Sequence, residues 1–248
     1  PKKTDIDQHT RQKVAIYDAY LKRYLPIISY GGFPRINIYD ACSGKGKYGD
    51  FDGSAVTACK NILLHQRCAP PEGFFLYLNE PDSVNRDELV EACQHDFVVQ
   101  IGNQAADDFI ATSCAHEPPG HQLWFIDPYG YTQVRKSSIE KIMNQKYSEI
   151  LLFLPLSFIY RFLKKEHDDI NLKPIETFLN DFGIAQTEAS SCNDSIEFAD
   201  LIVSKLQGQY GFSGHATMKE NANRYSLIFI SKRLIGLEKF LEARDRIL

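Results

Sequence analysis

The sequence is poor in the residues that mark small stapled domains. It has one tryptophan and two methionines in 248 residues, and six cysteines at 42, 59, 68, 93, 114 and 192. None of the cysteines stands in a Cys-x-x-Cys pair, and their spacing fits no zinc-site template. Cys59, His65 and Cys68 are close in sequence, but a helix would bring only some of them together, so no metal is expected. The thiols read as reduced and mostly buried, as in a cytoplasmic protein. Long apolar runs are also missing. The longest, Ile150 to Ile159, is interrupted by Pro155 and Ser157 and is too short to span a bilayer. No membrane association is expected, and the opening Pro-Lys-Lys-Thr-Asp does not resemble a secretory signal. There is no excess of positive charge, with 28 Lys+Arg against 32 Asp+Glu for a net charge of -4. That argues against a protein coated for phosphate binding, so any nucleic-acid contact must be a local basic patch. Internal repeats and low-complexity tracts are absent.

What is present fits a globular chain. Hydrophobic residues make up 44% and charged residues 24%, which excludes disorder and coiled coil. A chain this long buries roughly 70–75% of its unfolded surface without staples. Residues 6–28 read as a helix, with Val14, Tyr17, Leu21, Tyr24 and Leu25 at its 3.6 period and Pro26 and Gly31-Gly32 ending it. Strands are predicted at 36–42, 74–78, 97–101, 123–126 and 149–154. Helices are predicted between them at about 54–66, 83–95 (capped by Asp82 or Ser83), 104–114 and 137–145. Two or three helical pieces occupy 156–208. A hairpin of strands 212–219 and 225–231 and a last helix close the chain. Five strand–helix alternations imply an α/β fold, one domain with a mostly parallel sheet, helices on both faces and an antiparallel C-terminal hairpin. The region 156–208 is then a helical insertion.

In such a fold, functional groups gather at the carboxyl ends of the strands. The polar residues there are Asp40, Glu80, Asn103 and Asp127. Gly44-x-Gly46-x-x-Gly49 follows the first strand and matches the dinucleotide fingerprint literally, so a nicotinamide-dependent oxidoreductase is one reading. Against it, the helix starts near Gly53 or Ser54, away from any pyrophosphate, and Asp40 would repel phosphate. A cationic nucleoside without phosphates suits the residues better, namely S-adenosylmethionine. Asp40 would lie near its cationic end, Gly44 and Gly46 would allow close backbone approach, Glu80 would accept from the ribose hydroxyls and Asn103 would meet the adenine. Lys45 and Lys47 read as solvated. Asp127-Pro128-Tyr129-Gly130 offers a carboxylate for amine protons and an aromatic platform for a planar base. A metal-dependent nuclease built on Asp40, Glu80 and Asp127 is ranked last, because strand-end carboxylates lie too far apart.

These motifs, taken in order, resemble the three-Cys-motif partner (TcmP) proteins, which have a Rossmann-like methyltransferase fold. The resemblance rests on Thr10-x-x-Lys13, Tyr20-Leu21, Asp40-x-x-Ser43-Gly44-x-Gly46-x-Tyr48, Gly53-Ser54, Asn79-Glu80, Gly102-Asn103, Phe125 to Gly130, Arg224-Tyr225-Ser226-Leu227 and the stretch Ser231 to Gly236. It departs from the family at Asn103, usually acidic, at Lys45, often Pro, and at Cys42-Ser43, commonly Phe-Ala. The Asp-Pro-Tyr-Gly turn is also similar to that of tRNA guanine N2-methylating enzymes. The resemblance implies a sheet with an antiparallel final hairpin, and together with the strand-end residues the leading reading is an S-adenosylmethionine-dependent methyltransferase acting on a nucleic-acid base or another exocyclic amine. Asp40, Ser43, Gly44, Gly46, Glu80 and Asn103 would bind the cofactor, and Asp127 and Tyr129 would act on the acceptor. Lys13, Arg161 and Lys164, with Lys165 beside them, would contact substrate. The alternative is a catalytically inactive binding partner of a radical-SAM-type protein.

Overall fold

The computed structural model describes residues 6–65, 73–116, 119–164 and 173–248. Cys68 and Lys165 lie outside these residues, as does the side chain of Lys164. The chain opens with helix α1 (Gln8–Tyr30) and strand β1 (Arg35–Asp40). A small two-stranded hairpin follows, β2 (Lys47–Tyr48) and β3 (Phe51–Asp52), leading into α2 (Ser54–His65). Then come β4 (Gly73–Asn79), α3 (Ser83–Ala92), β5 (Val98–Gly102), α4 (Ala106–Ala115), β6 (His121–Ile126), α5 (Lys136–Asn144) and β7 (Ser148–Leu154). Four helices, α6 (Leu156–Lys164), α7 (Lys173–Asp181), α8 (Gln186–Ser191) and α9 (Ser195–Tyr210), precede the hairpin β8 (Phe212–Glu220) and β9 (Asn223–Ser231). Helix α10 (Leu234–Ile247) closes the chain.

The main sheet has the order β5-β4-β1-β6-β7-β9-β8. Its first five strands are parallel, whereas β9 runs antiparallel to both β7 and β8. Alternation along each strand explains why both faces are covered. On one face Ile38, Leu123, Phe125, Leu151, Leu227 and Phe229 pack under α1, α2 and α10. On the other, Trp124, Ile126, Ile150, Leu152, Ile228 and Ile230 pack under α4, α5 and the helices after β7. Trp124 stacks on Tyr39, with ring centroids 3.9 Å apart, and Tyr39 stacks on Tyr77 at 4.6 Å.

Several elements differ from the sequence expectation, including the four helices where two or three were expected over 156–208. Helix α1 passes through Pro26 and ends at Tyr30, where the Gly31 amide donates to the carbonyls of Ile27 and Ile28. A proline costs a helix a hydrogen bond, but Leu25 and Ile28 on either side of it are buried and hold the last turn to the core. The β2–β3 hairpin was not foreseen, because two-residue strands carry no periodicity. At the C-terminal hairpin the strands run closer to the turn than expected, leaving Asn221, with φ 53°, and Ala222 between them. The Asp82 cap of α3 is as expected, its side chain accepting from the Asn85 amide.

Glu149 at the start of β7 is a buried acid inside this core. It accepts from the Tyr20 hydroxyl at 2.5 Å and the Ser231 hydroxyl at 2.9 Å. Burial raises its pKa from 4.5 to about 7, although both hydrogen bonds pull it down. The folded state therefore holds this proton more tightly than the unfolded chain. Stability is greatest below pH 4.5 for this group, falls as pH rises through about 7, and is flat above. At about 1.4 kcal/mol per pH unit the loss is on the order of 3 kcal/mol. Glu149→Gln keeps an acceptor for Tyr20 and removes the titration. Thermal melts should show this variant more stable than wild type at pH 8 and about equal at pH 5. A difference independent of pH would refute the assignment.

Candidate active site

The order of the parallel strands reverses at β1, which has β4 and β5 on one side and β6 and β7 on the other. The carboxyl ends of β1 and β6 open a crevice there. A cleft of about 460 Å³ occupies it, lined by the first turns of α1, the glycine loop after β1, the Asp127-Pro128-Tyr129 turn after β6 and Phe153 of β7. Asp40 ends β1 and is buried behind the cleft wall formed by Cys42 and Ser54. The Ser54 hydroxyl donates to its Oδ2 at 2.5 Å, and the Cys42 amide donates to its Oδ1 at 3.2 Å. Burial raises its pKa to about 7, with the Asp127 carboxylate adding to the rise and the two hydrogen bonds and Lys13 opposing it. Ser43 ties the loop to the neighbouring strand, since its amide donates to the Asn79 carbonyl at 2.9 Å and its hydroxyl to the Asp40 carbonyl at 3.0 Å.

Lys13 reaches this wall from α1. Its side chain is buried, forms an ion pair with Asp127, and places its ammonium 4.1 Å from the centre of the Phe153 ring. The sequence reading assigned Lys13 to substrate or cofactor, but here it neutralises the acid of the Asp-Pro-Tyr turn. Next to it, His9 sits one helical turn earlier, stacked on Tyr225 at 3.8 Å and ion-paired with Glu220. Asp7, His9 and Glu220 approach closely enough to share a cation, but the His9–Glu220 contact and the Gln8 amide to Glu220 Oε1 already account for two of the three.

The glycine loop is shaped differently from a phosphate cradle. Gly44 has φ 59°, and a Cβ there would lie 2.3 Å from the Tyr48 hydroxyl, so Tyr48 from the small hairpin occupies the space over it. Gly46, with φ 80°, is packed instead against Leu89, Ala92 and Val56, away from the cleft. The Gly53 amide at the entrance of α2 is taken by the Gly46 carbonyl at 2.7 Å. The loop thus runs into a hairpin, and the start of α2 faces Asp40 through Ser54. Lys45 pairs with Glu88.

Glu80 does not line the cleft but is fully buried just behind it. Its Oε1 accepts from the Asp82 amide at 2.9 Å, while its Oε2 is buried without a hydrogen-bond partner among the described residues. Such an orphaned carboxylate oxygen is costly unless a ligand hydroxyl satisfies it. Asn103 is exposed and stands apart from the cleft lining, and the neighbouring Asn79 amide does the structural work there by bonding the Ala41 and Gln104 carbonyls. Tyr129, 71% exposed, stands at the lip. Burial of part of its ring and the nearby acids Glu80 and Asp127 push its pKa up. Beyond it lies a second hollow of about 440 Å³, bordered by Tyr131, Phe158, Arg161, Arg224 and Tyr225. Arg161 is exposed on its wall and donates to the Ser157 carbonyl at 3.4 Å. Lys164 is in α6, three residues on.

Lys13, Ser43, Gly44, Asp127 and Tyr129 therefore line one cleft, Asp40 is buried behind its wall against Ser54 and Cys42, and Arg161 is in the adjoining hollow. Gly46, Glu80 and Asn103 are near it in the fold but not on its wall. His9, Tyr48, Phe153 and Tyr225 were not assigned a role from sequence. The spacing of His9 and Lys13, four apart on one helix face, was the available signal for the first.

No family model and no curated protein matches the chain. Among solved structures, a Legionella pneumophila protein of the DUF519 family model aligns over 95% of this chain and 91% of its own, with 13% identity and a TM-score of 0.59. An O-methyltransferase from Bacillus cereus in complex with SAH aligns over 93% of this chain and 84% of its own, with 10% identity and a TM-score of 0.49. Human methyltransferase-like protein 13 in complex with SAH aligns over 96% and 91%, with 11% identity and a TM-score of 0.46. The likeness to the first is one of fold: an α/β, Rossmann-like sheet, mostly parallel, with antiparallel C-terminal strands.

Proposed function

We propose that the protein is an S-adenosylmethionine-dependent methyltransferase acting on an exocyclic amine, with a nucleic-acid base as the acceptor class. The observation that carries this reading is Glu80, whose Oε2 is buried and, among the described residues, unpaired at the end of β4, beside the glycine loop after β1. A ribose diol is the ligand chemistry that satisfies such an oxygen, and a carboxylate accepts from both hydroxyls. The crystallised SAH of two fold neighbours is in keeping with that chemistry. When bound, S-adenosylmethionine supplies an electrophilic methyl group.

The chain's own residues would do the rest. A sulfonium and an ammonium bound beside Asp127 would favour the ionised form of the nearby Asp40, whose burial otherwise holds its pKa at about 7. Lys13, paired with Asp127, fixes that carboxylate at the lip of the cleft. Asp127 accepts a proton of the acceptor amine and holds its lone pair toward the cleft, a positioning effect of the kind that lowers barriers by several kcal/mol. Tyr129, with most of its ring exposed, stacks on a base that has left its helix, a contact of about 1–3 kcal/mol. The hollow with Tyr131, Phe158 and Tyr225 continues this aromatic surface, and Arg161 is placed to meet a phosphate.

Calorimetric titration with S-adenosylmethionine and S-adenosylhomocysteine should give binding to one site. Glu80→Gln retains the acceptor for the Asp82 amide and should weaken both ligands about ten- to hundredfold. Folded protein that binds neither at millimolar concentration would remove this reading.

The acceptor is tested separately, by transfer of a labelled methyl group to unpaired DNA and RNA oligonucleotides. Asp127→Asn should lower kcat by about 100-fold or more while leaving cofactor affinity within a few-fold. Tyr129→Ala should act mainly on KM. Incorporation into proteins or small amines, with none into oligonucleotides, would reassign the acceptor.

A further inference from the structure

The amino-terminal rim of the sheet, opposite the cleft, holds a third cavity, of about 290 Å³. Its position follows from the register. His121 and Ser148 begin β6 and β7, and Ser231 ends the antiparallel β9. It lies near the lower bound of about 300 Å³ for small-molecule pockets.

Its wall is aromatic. Phe33 meets His121 edge to face at 5.1 Å and Tyr147 edge to face at 4.9 Å. The His121 ring is held by the Tyr24 hydroxyl at 2.8 Å, and burial and the Arg233 charge push its pKa down to about 3, so it is a neutral ring. Ile27 and Ile235, both partly exposed, complete an apolar surface. The rim is cationic, with Lys146, Lys232 and Arg233. Among the described residues no carboxylate lies within ion-pair distance of any of the three. The Lys146 ammonium rests 5.0 Å from the Tyr147 ring and the Lys232 ammonium donates to the Gln145 carbonyl at 2.7 Å. Glu149, the acid in the lining, already accepts hydrogen bonds through both oxygens. The hollow thus combines an apolar wall with three cationic side chains, in a chain whose net charge is -4.

We infer that this cavity is a binding site for a small aromatic anion, with the ring against Phe33, Tyr147 and Ile235 and the anionic group toward Lys146, Lys232 and Arg233. The site is independent of the methyl-transfer reading, since it shares no lining residue with the cleft. An aryl carboxylate and an aryl phosphate ester present the same chemistry, a flat apolar body with a charged end.

Calorimetry with 1-naphthoate, 1-naphthyl phosphate and neutral 1-naphthamide tests this on the full chain. Saturable binding of one or both anions is expected, with the amide at least about tenfold weaker. The double variant Lys146→Gln, Arg233→Gln changes two exposed side chains and spares the Lys232 hydrogen bond. It should weaken the anion about tenfold or more with an unchanged circular-dichroism melt. Tighter binding of the phosphate would point to a phosphate ester, and equal or tighter binding of the carboxylate to an aryl acid. No saturable binding, equal binding of the amide, no effect of the double variant, or displacement by S-adenosylhomocysteine would each overturn the assignment.

Discussion

Three ionisable groups meet at and just behind the wall of the cleft, and the arrangement around them depends on their balance. Lys13 is buried against Asp127, and Asp40 lies close enough to feel both. An isolated buried charge is expensive, whereas a paired one with further hydrogen bonds is tolerated. Each element that enters the crevice contributes to that compensation: α1 brings the ammonium, β6 the second carboxylate, and α2 the Ser54 hydroxyl. Removing Lys13 would leave two carboxyls facing each other in low dielectric. The N-terminal helix is thus an electrostatic part of the site as well as a cover for the sheet.

The same helix joins the two ends of the molecule. It runs 23 residues, about 35 Å, from the cleft to the opposite rim. Tyr17, Tyr20 and Tyr24 lie along its buried face, with Tyr20 bonded to Glu149 and Tyr24 to His121. Glu149 also receives α10, where Gly236 is required because a Cβ would fall 2.3 Å from its Oε1. The rim opposite the cleft is therefore organised around one protonatable group, and the cleft around three.

The architecture was legible because strand–helix alternation is written at long range. Ile36-Asn37-Ile38 and Leu123-Trp124-Phe125 read as buried strands wherever they occur, and the order of the motifs placed Asp40 and Asp127 on one rim. Local detail was less legible. The Lys47–Tyr48 and Phe51–Asp52 pairing is too short to leave a pattern, so Tyr48 over Gly44 could not be foreseen. A strand-end position fixes which rim a residue occupies but not whether its side chain turns inward. That is why Glu80 proved buried and Asn103 exposed, and why Gly46 serves packing. Contacts made across more than a hundred residues, such as Lys13 with Asp127 or His9 with Glu220, leave no local trace.

The single tryptophan has a practical consequence. Trp124 is fully buried in the central strand β6, sandwiched by Tyr39, edge-on to Phe109, with its indole N–H donating to the Gln122 side chain at 3.1 Å. It lines none of the three cavities. Its emission is a spectroscopic gauge of the sheet interior alone, so a spectral change on adding a ligand would mean that the central strands themselves had shifted.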